Sequence, residues 1–208
     1  MTGRLLIGAL LATLSFATWH QRQRIDTLEA TAMLPASVAP LTPLIGDDPL
    51  QHPTDLSAFQ FRDHAIRPLA GFAIRARILS REDYRFDAGA DLSPIDLALG
   101  WRRMADPSVY RQLNIRQHGR WYHYSWSGEP PIPLREIIES SANMHLIPAN
   151  DAVRRVLERA RAGGLVSLRG QLVEAVSNNG RRWRSSLSRA DSGDGSCELV
   201  FVQHASLD

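Results

Sequence analysis

Asn143 and His145 stand two residues apart in the string Ser141-Ala-Asn143-Met-His145-Leu-Ile-Pro148-Ala-Asn150. A histidine can draw a proton from water, and an asparagine offers a donor and an acceptor on one amide. Two more histidines, His118 and His123, flank Gly119. On a hairpin their rings approach each other, and His145 would then supply a third nitrogen for zinc, whose ligands sit near roughly 2 Å. The same hairpin carries Trp121, Tyr122, Tyr124 and Trp126 with Arg116 and Arg120, side chains that stack on bases or sugars. Further on, Asp151 to Arg189 holds nine arginines against Asp151, Glu158 and Glu174. Arg182 and Arg184 in that stretch, with Trp121 and Tyr124, are the binding residues this pattern nominates.

Each group also has a plainer account. Buried Asn and His side chains usually serve backbone partners, and large aromatics dominate cores as readily as interfaces. Asp191-Ser-Gly-Asp194-Gly-Ser-Cys-Glu198 is rich in oxygens, yet it lacks the alternating ligands of a calcium loop and reads as a hairpin turn. Ser185 and Ser186 lie outside any G-x-S-x-G elbow, so they are not read as nucleophiles. On this balance no metal and no other cofactor is assigned. The Asn/His/Pro string resembles a stretch of the ββα-metal nucleases over its ten residues. That resemblance implies a metal-dependent hydrolase in which His145 activates water and Asn143 holds the metal. It departs from the family in having no Asp or Glu beside His145.

The elements that must position these residues are mostly strands. Leu69 to Leu79 alternates Phe72, Ile74, Ala76 and Ile78 with the residues between them, which predicts a strand. Ser93-Pro94-Ile-Asp96 has the form of a helix start, with Leu97, Ala98 and Trp101 on one face and an end near Met104. A hairpin is predicted from Leu113–His118 and Arg120–Trp126. A short helix through Ile137 and Ile138 follows Pro130, Pro131 and Pro133. Asn150 caps a clearer helix with Val153, Val156, Leu157 and Ala160 as its apolar stripe, ended by Gly163-Gly164. A meander then runs through Leu165–Val176, Arg182–Leu187 and Cys197–Gln203, with Gly170 marking a bulge or tight bend. This last part resembles the opening strand of an OB-type barrel over about forty residues, which implies a small, strongly coiled β-barrel.

The 208 residues hold 24 basic side chains, all arginine, and a net charge of only +2, which speaks against a whole-chain nucleic-acid binder. With 44% apolar and 22% charged residues the chain is neither disordered nor a multi-span membrane protein. One cysteine, Cys197, rules out a disulfide within the chain, and a buried, inert thiol is expected. The uncharged segment 5–19 follows Arg4 and precedes Trp19 and a basic flank, the layout of a membrane anchor. Cleavage near Ala17 is the alternative. Pro35, Pro40, Pro43, Pro49 and Pro53 then suit a linker. The expected plan is therefore a signal-anchor at 1–24, a proline-rich linker at 25–57 and a globular α+β domain at 58–208. In that domain short helices flank a small OB-like barrel. The expected role is a non-catalytic binding or interaction module. It would be held on the membrane by residues 5–19, face out of the cytoplasm and have an envelope protein as partner. The alternatives are the nuclease-like hydrolase and an OB-like polyanion binder.

Overall fold

The computed structural model describes residues 43–189 and 196–208, all within the unit Ala39–Asp208. The apolar segment 5–19, its basic flank and the linker up to residue 42 lie outside the described residues, as does the turn 191–195. Among the described residues no helix is long and apolar enough to cross a membrane. The domain is mostly β-sheet with few, short helices. Its strands are β1 Leu50–His52, β2 Phe59–Phe61, β3 His64–Asp83, β4 Ile95–Gly100, β5 Asn114–His118, β6 Trp121–Ser125, β7 Ser141–Pro148, β8 Leu165–Ser177, β9 Arg182–Arg184 and β10 Glu198–Leu207. Its helices are α1 Pro107–Tyr110, α2 Leu134–Glu139 and α3 Asp151–Arg159.

The main sheet follows the order β1-β3-β4-β7-β10-β8-β9, and β3 also pairs with β8. Each of the five strands β3, β4, β7, β10 and β8 thus has two of the others as neighbours. All these pairings are antiparallel except β7 with β10, which is parallel. Their inward side chains, among them Phe72, Ile74, Leu97, Leu99, Met144, Leu146, Leu168, Leu172 and Val200, make the larger core. Helix α3 adds Val153, Leu157 and Ala160 to it. Asn150 caps that helix as its residue type predicts, its Oδ1 accepting from Val153 N at 3.0 Å.

Strand β3 runs well beyond the predicted Leu69–Leu79. Leu50–His52, inside the stretch read as linker, pairs with Gly71–Ala73 as β1. Gly170 allows a close backbone approach: a Cβ there would run into the carbonyl oxygen of Phe201, and β10 shifts register just beyond, between Val202 and His204. Along the chain its strand, β8, comes after β3, β4 and β7. The predicted helix from Ser93 is also corrected, since residues 95–100 form strand β4 and only Arg102–Ala105 wind into a 3-10 turn. All six residues of β4 are buried. With both faces covered, the alternation of polarity that betrays a strand is muted, and the Leu97/Ala98/Trp101 spacing passes for a helical stripe.

What covers the outer face of β4 is the insertion between β4 and β7. Met104, Val109, Tyr110, Leu113, Ile132 and Ile137 form a second, smaller core against Leu79 and Ala98. The β5–β6 hairpin lays Ile115, Tyr122 and Tyr124 onto it. The pairs are Arg116 with His123 and His118 with Trp121, so these four share the outward face.

Candidate functional site: an arginine-lined cleft above a buried Asp–His pair

Antiparallel pairing of β4 with β7 sets Asp96 directly opposite His145 and Ala98 opposite Asn143. Leu97, Leu99, Met144 and Leu146 point inward, so Asp96, Asn143 and His145 must point outward together. They lie beneath the hairpin with only 0%, 3% and 3% of their surface exposed. Polar groups so placed need partners, and they find one another. Asp96 Oδ2 meets His145 Nδ1 at 2.8 Å and accepts from Asn143 Nδ2 at 3.3 Å. The asparagine amide also donates to the Arg120 carbonyl at 3.1 Å, while its Oδ1 accepts from Gln117 Nε2 at 2.6 Å.

Arg120 comes from the hairpin turn. Gly119 and Arg120 both have positive φ, 59° and 72°, as a two-residue turn of the I′ kind requires. An arginine in this left-handed region is strained by about 1 kcal/mol, and the contacts of its guanidinium over-determine the position. It donates to Asp96 Oδ1 at 3.0 Å and the Ser93 carbonyl at 2.8 Å, and by two bonds of 2.8 Å to Asp87. Its plane lies 3.7 Å from the centre of the Tyr84 ring. The Arg120 hydrogen bonds hold the Asp87 carboxyl below its usual range. Burial, with the Asp96 charge second, pushes the Tyr84 phenol up to about 12.

Above this network opens a cleft of about 730 Å³. One wall is the β3–β4 connection at Asp87–Gly89. The other is the turn after β8 with strand β9, bringing Arg181, Arg182, Trp183 and Arg184. His145, Arg120 and Trp121 lie between them. Trp183 reaches across, its ring 4.7 Å from that of His145 and 5.3 Å from the Arg120 guanidinium. Gly89 makes room for it, since a Cβ there would stand 2.9 Å from the indole. Arg182 and Arg184 converge with Arg67 on Glu174, a carboxylate almost fully covered. Those hydrogen bonds, Arg182's foremost, draw Glu174 down to about 2. Three guanidinium groups on one carboxylate leave positive charge to spare. The Arg181 guanidinium makes no hydrogen bond or ion pair among the described residues, where only its backbone N–H and carbonyl are engaged.

Of the residues singled out in the sequence, His145, Arg120, Arg182, Arg184 and Trp121 meet in this cleft, with Asn143 beneath it. Tyr124 faces a smaller recess of about 190 Å³ beside Arg189 and Cys197. Cys197 is half-buried and lines both hollows, so the expected buried thiol is partly open. His118 and His123 are exposed on the outer face of the hairpin, whereas His145 is buried. Among the described residues no three His, Cys, Asp or Glu side chains stand close enough to share a metal ion. Asn143 has both ends of its amide engaged. The Ser185 hydroxyl bonds backbone, donating to the Ser186 carbonyl and accepting from Leu199 N. Sequence reasoning missed Asp96, Asp87 and Trp183, and it named Arg120 only as a stacking side chain of the hairpin. A carboxylate inside the apolar run Ile-Asp96-Leu-Ala-Leu was the available signal for the first. In comparisons with known proteins, no family model, no curated relative and no solved structure matches the chain.

Proposed function

We propose that the domain is an OB-type binding module whose cleft takes a polyanion, and that residues 5–19 tether it to a membrane with the domain outside the cytoplasm. The barrel reading is supported by the five-strand cycle of pairings and by α3 packed onto its core. The observation that carries the ligand reading is the lining of the cleft: Arg120, Arg181, Arg182 and Arg184 against the single carboxylate Asp87, with Trp121 and Trp183 alongside. The walls also support it. Counted along the chain, they are the connections after the first and before the fifth of the cycle's strands, where OB-type modules hold ligands. The wider face of the β4–β7 pair is filled by the chain's own hairpin, so the ligand is confined to the open end.

Calorimetry with inorganic polyphosphate tests the ligand reading. The affinity should fall steeply with added salt, because each arginine that neutralises an anionic group releases a counterion. Arg182→Ala and Arg184→Ala should each weaken binding and reduce the salt slope by about 1. Binding that is absent, or indifferent to salt, removes this reading. The tether is tested separately by fractionation. A full-length chain found in the soluble fraction with its original amino terminus would end it.

A further inference from the structure

We infer that the cleft is also a hydrolytic site for phosphate esters, with His145 Nε2 accepting the proton of the attacking water; this rests on the reading of the cleft as an anion site. The argument begins with the tautomer. Asp96 is fully buried and receives Arg120 Nη1 on one oxygen and Asn143 Nδ2 on the other. An ionised carboxylate in that position accepts a hydrogen from His145 Nδ1 at 2.8 Å. That bond fixes the proton of the neutral ring on Nδ1 and leaves the lone pair on Nε2. Nε2 has no partner among the described residues, and His145 lines the cleft.

The charge pattern suits the same chemistry. Asp87 and Asp96 share one guanidinium, that of Arg120, and Asp96 faces the His145 ring at 2.8 Å, where it can hold an imidazolium as it forms. Across the cleft, Arg181, Arg182 and Arg184 face the place where negative charge grows on the phosphoryl oxygens. In the step, the water oxygen forms a bond to phosphorus as its proton passes to Nε2. The bond from phosphorus to the ester oxygen breaks, and the proton returns through solvent to the departing oxygen. Nothing is oxidised or reduced. His145 is the catalytic residue, and Asp96 is a positioning residue that acts through it.

The test uses the full-length chain with bis(p-nitrophenyl) phosphate as substrate, in the presence of EDTA, beside polyphosphate binding measured on the same samples. The wild type should release nitrophenolate in EDTA. His145→Gln should lower kcat by about 100-fold or more, with KM and polyphosphate affinity unchanged. Asp96→Asn should lower kcat and shift the pH profile while leaving KM alone. Retained polyphosphate binding serves as the check that each variant is folded. A wild type that binds polyphosphate without turnover, activity abolished by EDTA, or His145→Gln turnover within about threefold of wild type would each overturn the hydrolytic inference and leave the anion cleft standing. A wild type that neither binds nor turns over sinks both.

Discussion

The two faces of the β4–β7 pair are both closed to solvent, and they are closed by opposite means. Inward, Ile95, Leu97, Leu99, Met144 and Leu146 fill the larger core by shape alone. Outward, Asp96, Asn143 and His145 are as deeply buried, yet what fixes them is a set of directed bonds to Arg120 and Gln117 on the hairpin. Apolar packing is non-directional and falls off gradually when volume is lost. A buried charge network is all or nothing, because removing one member strands the others without water or partner. The same two strands therefore serve as a scaffold on one side and as the floor of the cleft on the other.

The largest effect should come from the polar side. Arg120→Ala leaves Asp87 and Asp96 facing each other's charge with only His145 to answer, and should cost about 3–5 kcal/mol of stability, the range for breaking a buried pair. Arg120→Lys should rescue little of it, since one ammonium cannot reproduce bonds to Asp87, Asp96 and the Ser93 carbonyl at once. Leu97→Ala on the inner face should cost about 3 kcal/mol. Leu97→Met should cost less than about 1.5 kcal/mol, because the volume is nearly kept. Chemical denaturation of the four variants measures the contrast. If Arg120→Lys recovers as fully as Leu97→Met does, the claim that the outer face depends on directed bonds is broken.

A smaller effect should separate the cleft wall from its floor by pH. Glu174 has its folded value drawn to about 2 from 4.5 by Arg182, Arg67 and Arg184. The unfolded chain then takes up a proton first on acidification. The stabilisation is complete above about 4.5 and is lost as pH falls towards 2. Thermal melts of the wild type should drop across that window, and the drop should be shallower in Glu174→Gln. Parallel acid limbs for the two proteins would show that the three arginines do not depend on this carboxylate.

Much of the scaffold could be read from the chain, and little of the site's wiring could. The hairpin, the Asn150-capped helix and the Leu165 strand have local causes: a Gly turn, a cap and alternating apolar residues. β4 reads as a helix because both of its faces are buried, so nothing local marks which residues alternate. Asp96 shows this most clearly. Its bonds run to Arg120, 24 residues on, and to His145, 49 residues on, and no spacing rule joins them. Arg182 and Arg184 stood out as part of a basic run, but that they converge on Glu174 while Trp183 turns the other way to His145 follows from strand pairing alone.

Phe86 should give the smallest effect, and it sharpens the contrast by lying outside both kinds of burial. It sits in the β3–β4 connection one residue before Asp87, with 99% of its surface exposed. A side chain with nothing packed on it contributes neither shape nor bonds to the folded state. Phe86→Ser should therefore leave the free energy of unfolding within about 0.5 kcal/mol of wild type. An exposed aromatic beside the arginine-lined cleft meets only flat or apolar ligands, so polyphosphate, which offers no such surface, should bind the variant unchanged. A loss of stability beyond that margin would mean that the connection packs more closely than its exposure indicates. The wall of the cleft would then belong with the core, not with the ligand.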